Sequence, residues 1–143
     1  MRAPNPFTPP QRLTRLQIEI TTGCNLHCAG CQRTAAMADH AWRNGHMPAD
    51  RFAAILANAP PADALVLQGI GEPTLHPDLP HFVALARACG KFPAISFNTN
   101  ALVRDLEYYR GLRGRGLNHL SVSVDSLDPV VAEPHVAELT VRG

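Results

Sequence analysis

The stretch Thr21-Thr22-Gly23-Cys24-Asn25-Leu26-His27-Cys28-Ala29-Gly30-Cys31 follows directly on an apolar run, residues 16–20. Its cysteines stand in a C-x3-C-x2-C spacing, close enough for one loop to present three thiolates together. A [4Fe–4S] cluster ordinarily takes a cysteine on each iron, so a loop that supplies three leaves one iron for a ligand that is not protein. Spacing alone leaves a second reading open. Three cysteines also make most of a zinc site, whose closed tetrahedral form needs a fourth ligand that His40 or His46 would supply. A disulfide framework does not fit, because no apolar export segment precedes the motif and thiols inside cells stay reduced.

Working outward, apolar and β-branched runs alternate with helical patterns, the sequence form of a parallel α/β sheet. Residues 16–20 predict a first strand, 64–67 a second and 94–98 a third, and 117–124 contain a fourth. The run at 64–67 is short and unbroken, as when both faces of a strand are covered. The cysteines lie in a long loop that continues to about Gly45. Pro48 then opens a helix whose Phe52, Ile55, Leu56 and Ala59 fall on one face, and Pro60-Pro61 stops it. Asp78 reads as the N-cap of a second helix, with Leu79, Phe82, Leu85, Ala86 and Cys89 as its buried stripe and Gly90 as its C-terminal cap. A third helix runs from about Arg104 to Arg113, with Leu102, Leu106, Tyr109 and Leu112 on one side. Every segment that reads as functional falls at the C-terminal end of a strand, where parallel α/β barrels place their active sites.

Three such segments extend the argument beyond the cysteines: Gly69-Ile70-Gly71-Glu72-Pro73, Ser96-Phe97-Asn98-Thr99-Asn100 and Ser121-Val122-Ser123-Val124-Asp125. With the cysteine loop they resemble, in order and separation, the radical S-adenosylmethionine (radical SAM) family over roughly residues 16–129. The first is similar to that family's Gly-Gly-Glu-Pro segment after the second barrel strand, the others to the ends of its third and fourth strands. The resemblance implies an incomplete, half TIM-like barrel of four βα units. It also implies that Cys24, Cys28 and Cys31 hold a [4Fe–4S] cluster whose fourth iron is chelated by the amino and carboxylate groups of S-adenosylmethionine.

An enzyme of this kind cleaves the cofactor reductively to a 5′-deoxyadenosyl radical that abstracts hydrogen from a substrate. By the same resemblance, Gly71, Glu72 and Pro73 meet the methionyl amino group, and Thr99, Asn100, Ser123 and Asp125 contact its methionyl or ribose parts. No side chain is singled out as catalytic. A reductant such as flavodoxin or ferredoxin is implied, and the surroundings of Cys31-Gln32-Arg33 and Gly45-His46-Met47 are similar to relatives acting on peptides or metabolites. This chain departs from the pattern in two places. Ile70 stands where the first glycine of the pair is usual, and Gly30 stands where an aromatic often faces adenine.

The 143 residues suffice for one domain, and 45% hydrophobic content suffices for a core. A net charge of +1 with no basic–aromatic interleaving gives no footprint for nucleic acid, and nothing approaches the length of a membrane span. A cytoplasmic location follows as the default. Residues 1–12, rich in proline, read as a flexible arm, 13–129 as the partial core, and 130–143, with Pro134 and no apolar period, as an irregular tail and a truncation. An open sheet edge then invites self-association, and a non-catalytic cluster-binding half-domain or a zinc-stabilised module are the other readings. Among single residues, Gly23 would let the chain turn out of the first strand, Cys89 is a core side chain, and Trp42 packs against the barrel. His27 faces solvent or the cluster, and His76 is a loop residue.

Overall fold

The computed structural model describes residues 13–124; the arm at 1–12, Asp125 and the tail lie outside the described residues. Strands Leu13–Gln17 (β1), Ala62–Val66 (β2), Ala94–Thr99 (β3) and His119–Val122 (β4) form a wholly parallel sheet in the order β1-β2-β3-β4. Each strand lies beside its predecessor with no reversal of direction. That is the winding of a barrel, whereas doubly wound sheets turn back at a switch point. The α/β half-barrel expectation is met.

Parallel neighbours need crossovers, and helices Ala49–Asn58 (α2), Leu79–Ala88 (α3) and Leu106–Gly114 (α4) provide them after a first short helix, Gln32–Ala38 (α1). Side chains alternate along a strand, so Ile18, Ile20, Leu65, Leu67, Ile95 and Phe97 join one core with Phe52, Leu56, Leu79, Phe82, Tyr109 and Leu112. The rings of Phe52 and Phe82 stack at 4.1 Å, locking α2 to α3. Lys91 donates to the carbonyls of Leu56, Ala57 and Ala59 at 2.8, 2.9 and 2.9 Å, supplying partners that the end of α2 lacks. Gly90, at φ +68°, ends α3 in the left-handed conformation expected there. Asp105 caps α4 by accepting from Tyr108 N–H, whereas Asp78 holds the N-cap position of α3 without a side-chain cap bond.

The sequence expectations miss in three places, and a fourth residue, His76, keeps its expected loop position but is buried. The β1 ladder lies three residues earlier than predicted, although Ile18 N–H still donates to Val66 O and Ile20 O accepts from Met47 N–H. α1 interrupts the predicted cysteine loop; its sequence, Gln-Arg-Thr-Ala-Ala-Met-Ala, favours helix but shows no apolar stripe. In β2, Leu65 is buried but Ala64 and Val66 are only half-buried, so the second face is not covered by a helix among the described residues. His76 does lie in a loop, yet it is buried, with its Nε2 3.0 Å from Met47 O and its Nδ1 accepting from Asp78 N–H at 3.0 Å. No helix among the described residues is long and apolar enough to cross a membrane.

The two bonds of His76 assign it a single neutral tautomer, with the proton on Nε2. Burial pushes its pKa below the ordinary histidine value, the Met47 carbonyl acts the other way, the neighbouring His46 lowers it further and Asp78 raises it. A lowered folded-state pKa means that the unfolded chain binds the proton first. The stability that His76 contributes is therefore complete above the ordinary value of about 6.5 and is lost as pH falls below it. Urea midpoints should fall between pH 7 and pH 5, and His76→Gln should flatten that dependence. An unchanged slope in the variant would remove His76 as its source.

Candidate functional site

All four strands run the same way, so the segments that follow them emerge at one end of the sheet. The segment after β1 leaves the sheet, carries the three cysteines and α1, and returns to it through a closed neck. Thr21 bridges His46 antiparallel, Thr22 N–H donates to Gly45 O at 3.0 Å, and Gly45 N–H donates back to Thr22 Oγ1 at 2.9 Å. Trp42 closes the same neck through Nε1–H to Thr22 O at 3.2 Å, a more specific role than general packing against the barrel. Inside the excursion, Cys31 N–H donates to Cys28 O at 3.0 Å, and Leu26 N–H points at Cys24 Sγ at 3.5 Å.

The loop after β2 packs directly on the start of this excursion. A Cβ on Gly71 would stand 2.3 Å from Thr21 O and 2.7 Å from Gly23 O, both backbone atoms, so only glycine fits. Gly23 itself has no such constraint: a Cβ there meets Thr21 Oγ1 at an ordinary 3.5 Å and its φ is not positive. The turn out of the first strand therefore does not demand glycine at position 23, whereas the close backbone approach falls at Gly71. Glu19, which the sequence reading passed over, accepts from Ile70 N–H at 2.6 Å, and its side chain occupies the space where a Cβ on Gly69 would lie.

Glu72 is 4% exposed, and its carboxylate accepts four hydrogen bonds within the protein. Oε1 accepts from Thr74 N–H, Thr74 Oγ1 and Thr99 Oγ1 at 3.0, 2.5 and 2.7 Å, and Oε2 accepts from Asn100 N–H at 2.8 Å. Its own N–H donates to Gly23 O at 2.8 Å. Thr99 Oγ1 also accepts from Ala101 N–H, and Asn100 reaches the cysteine loop through Nδ2–H to Asn25 Oδ1 at 2.9 Å. Ala101 sits at φ 58°, a costly conformation for a residue with a Cβ, held by that Thr99 bond.

Cys24, Cys28, Cys31, Gly71, Glu72, Thr99, Asn100 and Ser123 all line one cleft of roughly 340 Å3, joined by Leu26, Gln68, Gly69, Ile70 and Asn98. Pro73 is buried at the start of a short 3-10 turn, Pro73–Leu75, and does not line it; Asp125 lies outside the described residues. Ser123 N–H donates to Thr99 O at 2.9 Å, while its hydroxyl has no partner among the described residues. Neither His40 nor His46 reaches the cleft lining, His27 is exposed, and the space around Gly30 is open. Cys89 is apart from the others, packed on the core with its thiol donating to Ala86 O.

The four cysteines are free. Among the described residues no three His, Cys, Asp or Glu side chains converge as a single metal ion requires. A cubane asks for something different, one thiolate on each of three irons, and soft thiolates on one wall of a cleft are the donor set that suits it. The closeness of Gly71 to the cysteine segment yields a test. Gly71→Ala should cost roughly 1–3 kcal/mol in urea unfolding, the range for overpacking, and should speed proteolysis within residues 24–31. A variant with wild-type stability and cleavage would mean that the two segments are free to separate.

A match to the radical SAM superfamily covers residues 18–141. The PqqA peptide cyclase of Xanthomonas campestris pv. campestris (strain B100) is 35% identical over 123 residues, spanning 84% of this chain and 31% of that protein. The probable GTP 3′,8-cyclase of Methanococcus maripaludis (strain S2) is 29% identical over 122 residues, spanning 84% and 39%. This chain therefore spans well under half the length of these relatives. Among solved structures, BtrN in an open conformation shares the fold with a TM-score of 0.61 at 15% identity, covering 82% of this chain and 53% of that one. A second BtrN structure, in complex with AdoMet and 2-DOIA, gives 0.59 at 16% identity, covering 77% and 45%. On the extent of the family match, supported by these relatives, the chain belongs to the radical SAM superfamily, whose cofactors are a [4Fe–4S] cluster and S-adenosylmethionine.

Proposed function

We propose that this chain forms the cluster-bearing half of a radical SAM active site, with Cys24, Cys28 and Cys31 as the iron ligands. The observation that carries the reading is that these cysteines line the same cleft as the loop after β2 and the ends of β3 and β4. When bound, the cluster supplies the electron that splits S-adenosylmethionine into methionine and a 5′-deoxyadenosyl radical, which takes a hydrogen atom from the substrate. That BtrN, which shares the fold, was crystallised with AdoMet supports S-adenosylmethionine as the cofactor of this chain.

The chain's own residues divide the work. Gly71 lets the loop after β2 lie against the cysteine segment. Glu72 acts as an internal tie, its carboxylate being spent on Thr74, Thr99 and Asn100. Thr99 and Asn100 likewise serve to hold the cleft wall, and Asn100 anchors the cysteine loop at Asn25. Ser123, with its hydroxyl uncommitted among the described residues, is the side chain offered to the cofactor. The reductant is a small electron carrier and the substrate a peptide or metabolite, in a protein working in the cytoplasm. Self-association would use the β4 edge, where Leu120 and Val122, with Leu106 on α4, are the exposed large apolar side chains among the described residues.

Anaerobic reconstitution should give about four irons and four sulfides per chain. Replacing any one of Cys24, Cys28 or Cys31 by Ala should abolish uptake, and Cys89→Ala should not. Adding S-adenosylmethionine to the reduced protein should change its electron paramagnetic resonance spectrum; stoichiometric zinc without iron, or a spectrum blind to the cofactor, would reject the reading. In sedimentation velocity, dimers should give way to monomers in the double variant Leu120→Lys, Val122→Lys. A strictly monomeric parent chain would end the edge-association idea.

A further inference from the structure

Among the described residues Arg33 is the buried guanidinium of this region, and the cleft does not account for it. It lies on α1, two residues beyond Cys31, and is 2% exposed. Its guanidinium reaches back into the cysteine loop. Nη1 donates to Leu26 O at 3.0 Å and Nη2 to Asn44 Oδ1 at 3.4 Å, while Nε has no partner. Among the described residues Arg33 makes no ion pair, so a full positive charge is buried against two neutral acceptors. Such a burial is costly unless a negative charge lies nearby.

We infer that Arg33 is a positioning residue for the iron–sulfur cluster: it fixes the Cys24–Cys31 loop through Leu26 and supplies the buried cation that balances the thiolates. The inference rests on the cluster assignment proposed above. The residue it grips is the one whose N–H points at Cys24 Sγ, so the hold on Leu26 is transmitted to a cysteine sulfur within a single residue. Asn44, its other partner, belongs to the returning limb of the excursion beside the Thr22–Gly45 neck, so one side chain braces both limbs.

The electrostatic consequence has a definite sign. A cluster held by three thiolates is a net anion and becomes more negative when reduced. A buried cation nearby stabilises the reduced form more than the oxidised one and raises the potential. Cluster charge and hydrogen bonds to sulfur are among the established controls of that potential. No carboxylate could replace Arg33 here, because it would repel the thiolates, and an apolar residue would leave Leu26 O and Asn44 Oδ1 without their donor.

The test uses the full chain, wild type and variants, in two states. In the metal-free protein, hydrogen exchange across residues 24–31 should accelerate in Arg33→Met and be largely restored in Arg33→Lys, which keeps charge and donors. After anaerobic reconstitution, redox titration should place the Arg33→Met cluster at a more negative potential than wild type, with Arg33→Lys close to wild type. If Arg33→Met does not fold, Arg33→Gln, which keeps a donor for Leu26 O and drops the charge, carries the same comparison. A neutral variant with wild-type potential, or a lysine variant displaced as far as the neutral one, overturns the charge role while the cluster assignment stands. Unchanged exchange at residues 24–31 overturns the positioning role. A wild-type chain that takes up no iron overturns the assignment itself, and the inference with it.

Discussion

The buried carboxylate of Glu72 is the constraint on which the rest of the site depends. Burying a carboxylate costs several kcal/mol unless its charge is met by donors, and Glu72 meets four: one from Asn100 N–H, one from Thr99 Oγ1 and two from Thr74. Those donors come from the short turn after β2 and from the end of β3. The carboxylate therefore fastens the loop after β2 to the terminus of β3, while its backbone N–H fastens the same loop to Gly23 at the root of the cysteine excursion. Hydrogen bonds to an ionised acceptor are the strong kind, and this cluster of them is shielded from water. Remove the carboxylate and the loop after β2 loses its side-chain fastening to the end of β3, keeping only the backbone bond to Gly23.

A loop of eight residues, Cys24 to Cys31, bearing three cysteines has little reason to keep one shape by itself. Here it is held from several directions by groups that are themselves held. Gly71 lies against its root, Asn100 against Asn25, and Arg33 against Leu26, with the Thr21–His46 bridge closing the excursion behind them. Each contact is to backbone, or to a side chain adjacent to a cysteine, rather than to the sulfurs. The thiols stay free to ligate while the peptide that carries them is fixed.

Much of this arrangement was legible in the sequence. Strand and helix alternation gave the parallel sheet, and the positions of unusual segments after each strand gave the cleft, because a parallel sheet delivers all such segments to one end. What was not legible depends on three-dimensional contact. Gly23 and Gly71 look alike in sequence; only the approach of their two segments reveals that the second has no room for a Cβ. Glu19 sits in an apolar run as an ordinary exposed charge, and its partner Ile70 is 51 residues away. Arg33 and His76 are polar residues in irregular or weakly patterned stretches, where no periodicity signals burial. Glu72 stands out in sequence, but a motif cannot say which donors its carboxylate meets, and these come from Thr74, Thr99 and Asn100.

The two faces of the sheet make the asymmetry of the design plain. The face toward α2, α3 and α4 is filled by Ile18, Leu67, Ile95 and Phe97 and is dry. The register carries the opposite parity across all four strands: Gln17 stands beside Val66, Val66 beside Ser96, and Asn98 beside Ser121. Continued one step, Glu19, Gln68, Asn98 and Ser121 form a polar row just below the cysteine cleft, every member exposed or half-exposed. A strand buried on both sides would read as continuous hydrophobic sequence, and these strands do so only on the side that packs. The chain thus spends its apolar residues on fixing the strands and leaves their other face, directly beneath the three thiols, furnished with hydrogen-bonding groups. Such a surface is suited to holding a polar molecule in one orientation.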